Sequence, residues 1–472
     1  MSGKHAPVPE PEPETDDLEA AREIFRAYDI RGVVGELLTP ALAEKIGLAI
    51  GSEAQDQGEH TVIVGADGRL SSKELCLALV RGITGSGCDV IDLGMVPTPV
   101  LYFATQNSET RSGVMVTASH NPPEYNGFKI VIDGRTLVEE DIQGLYQRIA
   151  DERFHSGEGR LREFDILSDY VDAIADDVVV AQPPKIVVDC GNGVAGLIAQ
   201  EVFSNLGCDV VPLYCEVDGN FPNHLPDPLV PGNLDDLIAL VKSEGADMGL
   251  ALDGDGDRMV AVTSSGDVVW PDRLLMLFAK DVVSRNPGSD VVYDVKCTRH
   301  LNSVISSLGG RPIMCRSGHS YLKEKMKETD AVLGGEMSGH ICFNERWFGF
   351  DDGLYAGARL IEIVGSQTEG LAELLSEFPE SITTPEIIVP VSEKDKFRII
   401  EELTADPDFA EGAVTTIDGL RIDYSDGWGL VRASNTSPAL TLRFEADSEE
   451  TLANIQHLFR EKLQSIDSSI DF

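Results

Sequence analysis

One plan of secondary structure occurs three times along the chain, and this repetition limits the folds available to it. The stretch "KIVVDCGNGVAGLIAQEVFSNLGCDVVPLY" (185–214) is typical of a strand, a glycine-rich turn, a helix and a strand. The same order recurs in "SDVVYDVKCTRHLNSVISSLGGRPIMC" (289–315) and, nearer the N-terminus, in "TVIVGADGRLSSKELCLALVRGITGSGCDVIDL" (61–93). Strands alternating with helices predict sheets covered by helices, so the predicted fold class is α/β.

The repeats indicate internal duplication, and the last part of the chain departs from them. From about Pro385, four stretches typical of strands precede one amphipathic helix, "SEETLANIQHLFREKLQSI". This order predicts a closing α+β domain. The predicted domains are 20–164, 165–267, 268–380 and 381–472, after an acidic, proline-rich tail (1–19) that is predicted to be disordered.

The charge of the chain excludes one large class of partner. The 472 residues carry a formal net charge of −42, from 80 acidic and 38 basic side chains. Such a polyanion is repelled by nucleic acid. Two interpretations of the acidity stay open: a well-solvated surface, or adaptation to high salt, where screening weakens self-repulsion. No apolar run is long enough for a bilayer, and the N-terminus lacks the apolar core of a signal peptide, so we expect a cytoplasmic protein without membrane contact.

The cysteines favour a reducing compartment. None of the eight forms a C-x-x-C pair, and several lie in apolar runs, such as Cys190 in "IVVDCGNG". They are interpreted as reduced core residues and not as a disulfide framework or a zinc site.

A polar loop lies between two predicted core strands in "GVMVTASHNPPEYNGFKIVI" (113–132). Pro122 and Pro123 end any helix or central strand. The loop places Ser119 where its hydroxyl can project, and a serine can carry a phosphoryl group. His120 and Lys129 are able to supply a proton relay and positive charge. By residue type alone, a turn serine that caps its neighbours is the simpler interpretation.

Carboxylates alternate with glycines in "DGDGDR" (253–258), after a predicted buried strand. Asp253, Asp255 and Asp257 can converge on one cation, and hard oxygen ligands suit Mg²⁺ or Ca²⁺. An EF-hand is excluded because its sixth position would be Arg258 instead of glycine and its twelfth Ser264 instead of glutamate. A solvated acidic turn is the alternative, but three neighbouring carboxylates repel each other without a cation.

Two further loops suit a phosphosugar. In "GGEMSGH" (334–340), Glu336 and Ser338 can accept from and donate to vicinal sugar hydroxyls. In "VRASNTSPALTLRF" (431–444), Arg432 is followed by several hydroxyl and amide groups, a set that suits phosphate. Together the four loops offer a metal site, a serine, a hydroxyl-binding site and a phosphate-binding site, which is the equipment for phosphoryl transfer on a phosphosugar.

The ordered motifs "TASHNP", "DGDGDR", "GEMSGH" and "RASNTSP" resemble those of the α-D-phosphohexomutase superfamily, and within it most closely the bacterial phosphomannomutase/phosphoglucomutase group. The resemblance runs from "FRAYDIRG" at Phe25 to the end. It implies three related α/β domains with mixed sheets and a more mobile fourth domain around a central active-site cleft. Ala66 replaces an arginine that is frequent in relatives.

In that family the loop serine is phosphorylated in the active enzyme. The resemblance therefore implies that phosphorylated Ser119 completes the shell of a Mg²⁺ ion held by Asp253, Asp255 and Asp257. Phosphoserine gives its phosphoryl group to a mannose or glucose phosphate, and a hexose 1,6-bisphosphate forms. This intermediate, which is also the expected activator, turns around in the cleft and returns its other phosphoryl group.

The resemblance implies roles for other motif residues as well. The expected catalytic residues are Ser119, Arg31, His120, Lys129 and His340; Lys129 and His340 are acid/base candidates whose half-reactions stay open. The expected substrate-binding residues are Tyr28, Arg258, Lys296, His319, Glu336, Ser338, Arg432, Ser434, Asn435 and Thr436. The expected partners are phosphosugar substrates, and the expected assembly is a monomer or weak dimer.

Three rival functions share this machinery. A mutase for glucosamine phosphates would differ near "GEMSGH", where Met337 favours the hexose-phosphate branch. A silent phosphosugar sensor would not keep every reactive position occupied. A phosphatase would admit water to the phosphoserine, which a multi-domain cleft excludes.

Overall fold

The computed structural model describes residues 15–405, 407, 409, 412–435 and 437–472 of the 472-residue chain. Residues 1–14 of the predicted tail therefore lie outside the described residues. Residues 15–19 were also predicted to belong to the disordered tail, but they lie in helix α1 (Thr15–Ala20). Leu18 of this helix is partly buried against an apolar cluster of the first domain. Of the helices in the described ranges, none is long and apolar enough to cross a membrane.

The first domain contains a mixed sheet of seven strands. Its elements are β1 (Ile30–Val33), α2 (Pro40–Asp56), β2 (Thr61–Ala66), α3 (Ser72–Gly85), β3 (Asp89–Met95), α4 (Thr98–Gln106), β4 (Gly113–Val116), β5 (Tyr125–Ile132), β6 (Arg135–Thr136), α5 (Glu140–Ala150) and β7 (Leu161–Glu163). The strand order is β1-β5-β4-β2-β3-β7, with β6 beside β5. Strands β4, β2, β3 and β7 are parallel, whereas β5 is antiparallel to β1, β4 and β6.

The second domain has a five-stranded mixed sheet. Its elements are α6 (Leu167–Asp177), β8 (Lys185–Asp189), α7 (Ala199–Asn205), β9 (Asp209–Leu213), α8 (Asp235–Glu244), β10 (Met248–Leu252), β11 (Met259–Thr263) and β12 (Val268–Val269). The order is β12-β11-β10-β8-β9. Strands β9, β8 and β10 are parallel, and β11 and β12 continue the sheet antiparallel.

The third domain repeats this plan with four strands. Its elements are α9 (Pro271–Arg285), β13 (Asp290–Asp294), α10 (His300–Ser307), β14 (Arg311–Cys315), α11 (His319–Thr329), β15 (Leu333–Gly335), β16 (Ile341–Phe343), α12 (Gly353–Gly365) and α13 (Leu371–Leu375). The order is β14-β13-β15-β16, and only β16 runs antiparallel. The three mixed sheets confirm the predicted fold class.

The fourth domain is an antiparallel sheet with two helices. Its elements are β17 (Ile382–Thr383), β18 (Ile387–Pro390), α14 (Glu393–Ala405), β19 (Ala413–Thr415), β20 (Leu420–Asp423), β21 (Gly427–Ala433), β22 (Ala439–Ala446) and α15 (Glu449–Ile466). The order is β17-β22-β21-β20-β19, with β18 also paired to β22. The predicted domain limits stay predictions.

The apolar core explains which parts are held rigidly together. One cluster of buried residues runs through the first three sheets and includes Met115, Leu250 and Val291. The fourth domain has a separate core around Phe444 and Phe459. Because the first three domains share one close-packed core, the loops at their facing edges keep fixed relative positions.

Candidate active site

The loop between the antiparallel strands β4 and β5 buries its serine. Ser119 is only 1% exposed, and its backbone takes a φ of 51°, a conformation that is uncommon for a residue other than glycine. Its hydroxyl donates a hydrogen bond to Asp253 Oδ2 (2.7 Å) and lies 3.2 Å from Nδ1 of His120. The sequence suggested a projecting hydroxyl; the structure directs it inward because the carboxylate of the second domain lies opposite.

A buried network below the loop holds it in this conformation. The guanidinium of Arg69 donates hydrogen bonds to four carbonyl oxygens of the loop, those of Ser119, Asn121, Pro122 and Tyr125. Asp67 accepts from Arg69 and from the Thr117 hydroxyl, which itself accepts from the Ser119 N–H. Since β2 and β4 are parallel neighbours, "ADGR" and "TASH" meet at the same edge of the sheet.

The acidic loop between β10 and β11 forms a buried cluster. Asp253, Asp255 and Asp257 are each 0% exposed, and one ligand atom from each lies within 4.8 Å of the others. Burial and the neighbouring Asp255 raise the pKa of Asp253 well above its usual range. Burial opposes ionisation of Asp257 too, but Lys129 and His340 hold its pKa well below the usual range.

Lys129 places a positive charge beside the three carboxylates, which would repel each other without a cation. Its ammonium donates to Asp255 Oδ2 (2.7 Å) and to Asp257 Oδ2 (2.5 Å). Burial alone would lower the pKa of Lys129, but the two carboxylates raise it above the usual value. This pairing favours the ammonium form of the side chain.

The triad fits a hard divalent cation. The Oδ1 atoms of Asp255 and Asp257 are buried and have no hydrogen-bond partner among the described residues. Buried carboxylate oxygens without a partner are costly unless a cation pairs with them. Three anionic oxygen donors at this spacing suit Mg²⁺ or Ca²⁺.

A second group of titratable side chains adjoins the triad. Nε2 of His340 lies 3.4 Å from Asp257 Oδ1 and 3.8 Å from Asp351 Oδ2. Asp351 is also 3.1 Å from Nδ1 of His319 and accepts from Nζ of Lys323 (2.8 Å). Asp351 lies outside the four motifs that predicted the site, in "ERWFGFDDG" (345–353). Only the folded third domain brings Asp351 between His319 and His340, the two expected site histidines.

The predicted sugar-binding loop forms a compact polar group. Glu336 accepts from the Gly318 N–H (2.6 Å), and its other oxygen lies 2.9 Å from Nδ1 of His340. Ser338 lies within hydrogen-bond distance of both Glu336 and His340. Burial opposes the charge of Glu336, but the bond to His340 lowers its pKa to about 2. Burial and Arg258 oppose the charge of His340, whereas Asp257 and Glu336 raise its pKa to about 9.

The predicted phosphate-binding loop follows β21 in the fourth domain. Arg432 donates from Nε to Asp418 Oδ2 (2.8 Å), and one terminal nitrogen of its buried guanidinium has no hydrogen-bond partner in the described residues. Asn435 reaches the third domain, where its amide donates to the Ser317 carbonyl (3.3 Å). Lys296 crosses the same boundary to Glu386 (2.9 Å). Thr436 lies outside the described residues.

A cavity of about 820 Å³ joins these loops, and all four domains line it. Arg31 is fixed at its floor by Asp29 (2.5 Å) and Asn121 (2.7 Å). The ring of Tyr28 packs edge-on against His319. Of the expected site residues, the cavity lining includes Tyr28, Arg31, His120, Lys129, Arg258, Lys296, His319, Glu336, Ser338, His340, Arg432, Ser434 and Asn435. Ser119 and the triad lie in the layer beneath.

Sequence reasoning missed residues that touch this cavity or support it. Asn121, Asp227 and Glu386 line the cavity. Asp67 supports the serine loop by accepting a hydrogen bond from the Thr117 hydroxyl. Asp227 and Glu386 lie outside the four quoted motifs, in segments without a distinctive pattern. A signal existed for Asn121, which follows His120 directly in "TASHNPP", and for Asp67, which follows the predicted strand in "TVIVGADGR".

Four family models match consecutive parts of the chain. They describe phosphoglucomutase/phosphomannomutase alpha/beta/alpha domains I, II and III, at residues 22–156, 168–266 and 270–382, and the C-terminal domain, at residues 386–462.

Individual relatives extend the similarity over nearly the whole chain. A phosphomannomutase/phosphoglucomutase of Pseudomonas aeruginosa is 60% identical over 447 residues, which are 95% of this chain and 96% of the relative. A phosphoglucomutase of Neisseria gonorrhoeae is 50% identical over 449 residues, covering 94% and 97%. The crystal structure of a phosphoglucomutase/phosphomannomutase family protein from Burkholderia thailandensis has a TM-score of 0.91 and 49% identity, covering 95% of this chain and 98% of that one.

Proposed function

The chain belongs to the phosphoglucomutase/phosphomannomutase family, and we propose that it interconverts the 6-phosphates and 1-phosphates of mannose and glucose. The reaction is reversible and intramolecular in its outcome. It proceeds through a phosphoserine at position 119 and a hexose 1,6-bisphosphate intermediate. The proposal rests on the site chemistry and on the names of relatives that are 50–60% identical.

One observation carries the proposal: the Ser119 hydroxyl lies 2.7 Å from Asp253 although 134 residues separate them. A nucleophilic oxygen is thus held against a cluster of three carboxylates at the base of a large polar cavity. A phosphoryl group on Ser119 Oγ would bring its oxygens beside the cation that the cluster suits. A turn serine that only capped its neighbours would have no need of this contact.

The carboxylates of Asp253, Asp255 and Asp257 would hold the metal, and Mg²⁺ is the ion that phosphoryl chemistry favours. When bound, the cation neutralises charge that develops on the transferring group. Lys129 acts in the same direction, since its ammonium faces Asp255 and Asp257 (2.7 and 2.5 Å). Arg31 presents a second fixed positive charge at the floor of the cavity.

The first transfer breaks the bond between Ser119 Oγ and phosphorus and forms a bond from phosphorus to a sugar hydroxyl oxygen; the hydroxyl loses its proton and the serine oxygen gains one. The second transfer breaks the bond between the other phosphorus of the bisphosphate and its sugar oxygen and forms the bond to Ser119 Oγ again, with the proton moving back to the sugar oxygen. His120 lies 3.2 Å from Ser119 Oγ, and burial and the nearby Arg258 hold the pKa of its imidazole well below the usual value. The neutral ring is suited to exchange the proton at this oxygen.

The loop after β21 would hold the phosphate that is not reacting. Arg432 offers a guanidinium with a terminal nitrogen directed to no protein acceptor among the described residues, and Ser434 and Asn435 add polar groups. Glu336 and Ser338 would bind the 3- and 4-hydroxyls, which are alike in glucose and mannose. A cavity of about 820 Å³ gives the bisphosphate room to turn around without leaving.

A coupled assay tests this function. Conversion of glucose 1-phosphate and of mannose 1-phosphate is followed with Mg²⁺ and a trace of glucose 1,6-bisphosphate, which primes enzyme that has lost its phosphate. Intact-mass analysis is expected to show one phosphate on the wild type, and peptide mapping to place it on Ser119. Ser119→Ala is expected to lose both the phosphate and nearly all turnover.

The control is Ser303→Ala, which removes an exposed hydroxyl and keeps both readouts. Phosphate on another residue, or normal turnover by Ser119→Ala, would refute the phosphoserine. Faster turnover of glucosamine 1-phosphate than of either hexose phosphate would refute the substrate class, and release of inorganic phosphate at the rate of conversion would indicate a phosphatase.

A further inference from the structure

Two cysteines of the second domain face each other below the metal-binding loop. The sulfur atoms of Cys190 and Cys215 are 3.5 Å apart. Cys190 is fully buried, and Cys215 is partly exposed. They follow the parallel strands β8 and β9, whose last residues Asp189 and Leu213 pair with each other. The Cys190 N–H also donates to the Leu213 carbonyl (3.1 Å), so the strand register fixes both backbones side by side.

The geometry points to Cys190 and Cys215 as a reversible oxidation site, at which a hydroperoxide converts the two thiols into a disulfide. A disulfide requires a sulfur separation of about 2.05 Å, so the two atoms must approach by about 1.5 Å. Cys215, the partly exposed residue of the two, is the one that an oxidant would reach first. Transient disulfides of this kind are the form in which cytosolic proteins usually contain them.

Local electrostatics favour Cys215 as the thiol that reacts first. In the structure the Cys215 thiol donates a hydrogen bond to Cys190 Sγ (3.5 Å). Once Cys215 is ionised, the Cys190 thiol can donate to its thiolate instead, and this interaction lowers the pKa of the Cys215 thiol. The same bond and burial raise the pKa of Cys190 well above its usual value. A thiolate is the nucleophile in such chemistry, and its partner then acts as the resolving thiol.

The proposed chemistry uses two steps. The Cys215 thiolate attacks one peroxide oxygen, the O–O bond breaks, and hydroxide leaves, so that Cys215 becomes a sulfenic acid. The sulfur of Cys190 then attacks the sulfur of Cys215, a disulfide forms, and water leaves after taking the Cys190 proton. The two thiols lose two electrons, which reduce the peroxide to water or to an alcohol. A dithiol reductant reverses the change by thiol–disulfide exchange.

The segment after Cys190 connects this pair to the metal-binding loop. The Val194 N–H donates to the Gly254 carbonyl (3.0 Å), between Asp253 and Asp255. The space beside the Gly193 Cα is so narrow that an added Cβ would lie 2.7 Å from the Gly254 carbonyl oxygen. On the other side, an added Cβ on Gly196 would lie 2.0 Å from the Cys215 carbonyl oxygen. Residues 190–196 are therefore packed between Cys215 and the carboxylates.

Formation of the disulfide is expected to disturb the reaction, because residues 190–196 are packed too closely to move without shifting the metal-binding loop. Movement of a catalytic group by about 1 Å can lower a rate by about a hundredfold. We expect oxidation to lower kcat/KM by about tenfold to a hundredfold, and a dithiol to restore it. This activity effect rests on the proposed mutase function, whereas formation of the disulfide does not.

Two readouts on the full-length protein test the inference separately. The wild type is treated with hydrogen peroxide, the remaining thiols are alkylated, and non-reducing peptide mapping searches for a Cys190–Cys215 cross-link. Turnover of glucose 1-phosphate is measured before oxidation, after it, and after addition of dithiothreitol. Cys215→Ser is expected to show neither the cross-link nor the reversible loss, with basal activity near that of the wild type. Cys190→Ala provides the same test from the resolving side.

The matched control is Cys208→Ser, in the same domain. Burial raises the pKa of the Cys208 thiol to about 12, so its replacement should leave the oxidation response unchanged. Absence of the cross-link from peroxide-treated wild type would overturn the site. A cross-link without loss of activity, or equal loss in Cys215→Ser, would overturn the connection to the metal-binding loop. If the assay finds no mutase activity, peptide mapping still decides whether the disulfide forms.

Discussion

The guanidinium of Arg69 lies 2.7 Å from the carbonyl oxygen of Ser119, across 50 residues of sequence. With its contacts to three further carbonyls, this side chain fixes the whole serine loop. The loop needs such support because Ser119 takes a positive φ, which costs about 1–3 kcal/mol for residues other than glycine. A strained conformation persists only when its surroundings determine it, and here the surroundings are Arg69, Asp67 and Thr117.

We expect Arg69→Lys to lower kcat/KM by at least about tenfold. Lysine keeps the charge beside Asp67 but cannot donate to four carbonyl oxygens in the geometry of a guanidinium. The carbonyls left unpaired should also lower the free energy of unfolding by about 1–3 kcal/mol. Turnover of glucose 1-phosphate and urea denaturation measure the two effects.

The control for this variant is Arg81→Lys on helix α3, where the arginine pairs with Glu44 at the surface and is 58% exposed. Such a pair contributes little, about 0–1 kcal/mol. If Arg69→Lys matched this control in both activity and stability, the loop would not depend on Arg69.

The fold was predictable because its strands are nearly continuous apolar runs that alternate with helices. The stretches around Ile63, Val187 and Val292 form central parallel strands, as their composition indicates. The four candidate site loops were predictable as well, because each puts polar side chains directly after an apolar strand. Local pattern therefore indicated loops whose residues line one cavity or lie beside it.

Contacts between distant segments were not predictable in the same way. The sequence argument required a cation beside the three carboxylates, and Lys129 turned out to provide one charge from another domain. Asp351 reaches His319 and His340 through tertiary packing that leaves no local periodicity. The inward direction of Ser119 depends on Asp253, 134 residues away. Single-sequence reasoning sees residue types and spacing but not which side chains meet.

Asp255→Asn should weaken metal binding without lowering the thermal stability of the metal-free protein. The change removes one of three anionic ligands, so the field that holds Mg²⁺ falls. In metal-free buffer, Asp253 and Asp257 lose a like-charged neighbour, while an asparagine oxygen can still accept from Thr98 and Lys129. Thermal unfolding with and without Mg²⁺ measures this: Tm of the wild type should rise with Mg²⁺ by mass action, and that of the variant much less.

The matched control is Asp209→Asn, which removes an exposed carboxylate from the same domain. Its Tm should respond to Mg²⁺ as the wild type does. An equal response of Asp255→Asn would show that this carboxylate is not a ligand.

His319 is expected to make the protein more sensitive to acid. Burial and the nearby Lys323 lower the pKa of its imidazole from 6.5 to about 4, against the opposing effect of Asp351. The unfolded state therefore binds the proton more readily, so the stabilisation is present above about pH 6.5 and is lost as the pH falls toward about 4. Over that range the contribution is at most about 3 kcal/mol.

Urea denaturation of the wild type and of His319→Asn at several pH values tests this expectation. Other carboxylates titrate in both proteins, so the informative quantity is the difference between their unfolding free energies, which should shrink as the pH falls. His457→Asn, at a side chain that is 65% exposed, is the matched surface control. A pH-independent difference for His319→Asn would show that its imidazole keeps an ordinary pKa.

The acidic surface is expected to make Tm rise with salt. On helix α6, Asp169, Asp172 and Asp176 are exposed one turn apart, and like charges at this spacing destabilise a helix. The Debye length falls from about 10 Å at 0.1 M to about 3 Å at 1 M ionic strength, so salt should relieve this repulsion. Thermal unfolding in potassium chloride measures the slope, which Asp172→Asn should reduce. A Tm independent of salt would favour the interpretation that the acidic residues only keep the surface well solvated.

Arg432 is expected to retain the bisphosphate intermediate. Its side chain is 6% exposed, Asp418 fixes Nε (2.8 Å), and a terminal nitrogen has no protein partner among the described residues. Arg432 is also one of the residues that line the cavity. A hydrogen bond between a charged guanidinium and a phosphate contributes about 1.5–3 kcal/mol, and this contribution is available during both half-reactions.

Arg432→Lys keeps the charge but loses the two-pronged donor geometry. We expect KM to rise for both substrates by about tenfold, which corresponds to about 1.4 kcal/mol. More of the bisphosphate should also escape, because it must stay bound while it turns around, whereas the first transfer needs only initial docking. Single turnovers with labelled glucose 1,6-bisphosphate measure the fraction released.

Arg398→Lys, at a half-exposed surface pair of the same domain, should release no more than the wild type. Equal release from Arg432→Lys and the wild type would show that this arginine does not hold the intermediate, and a higher KM alone would then assign it to initial binding.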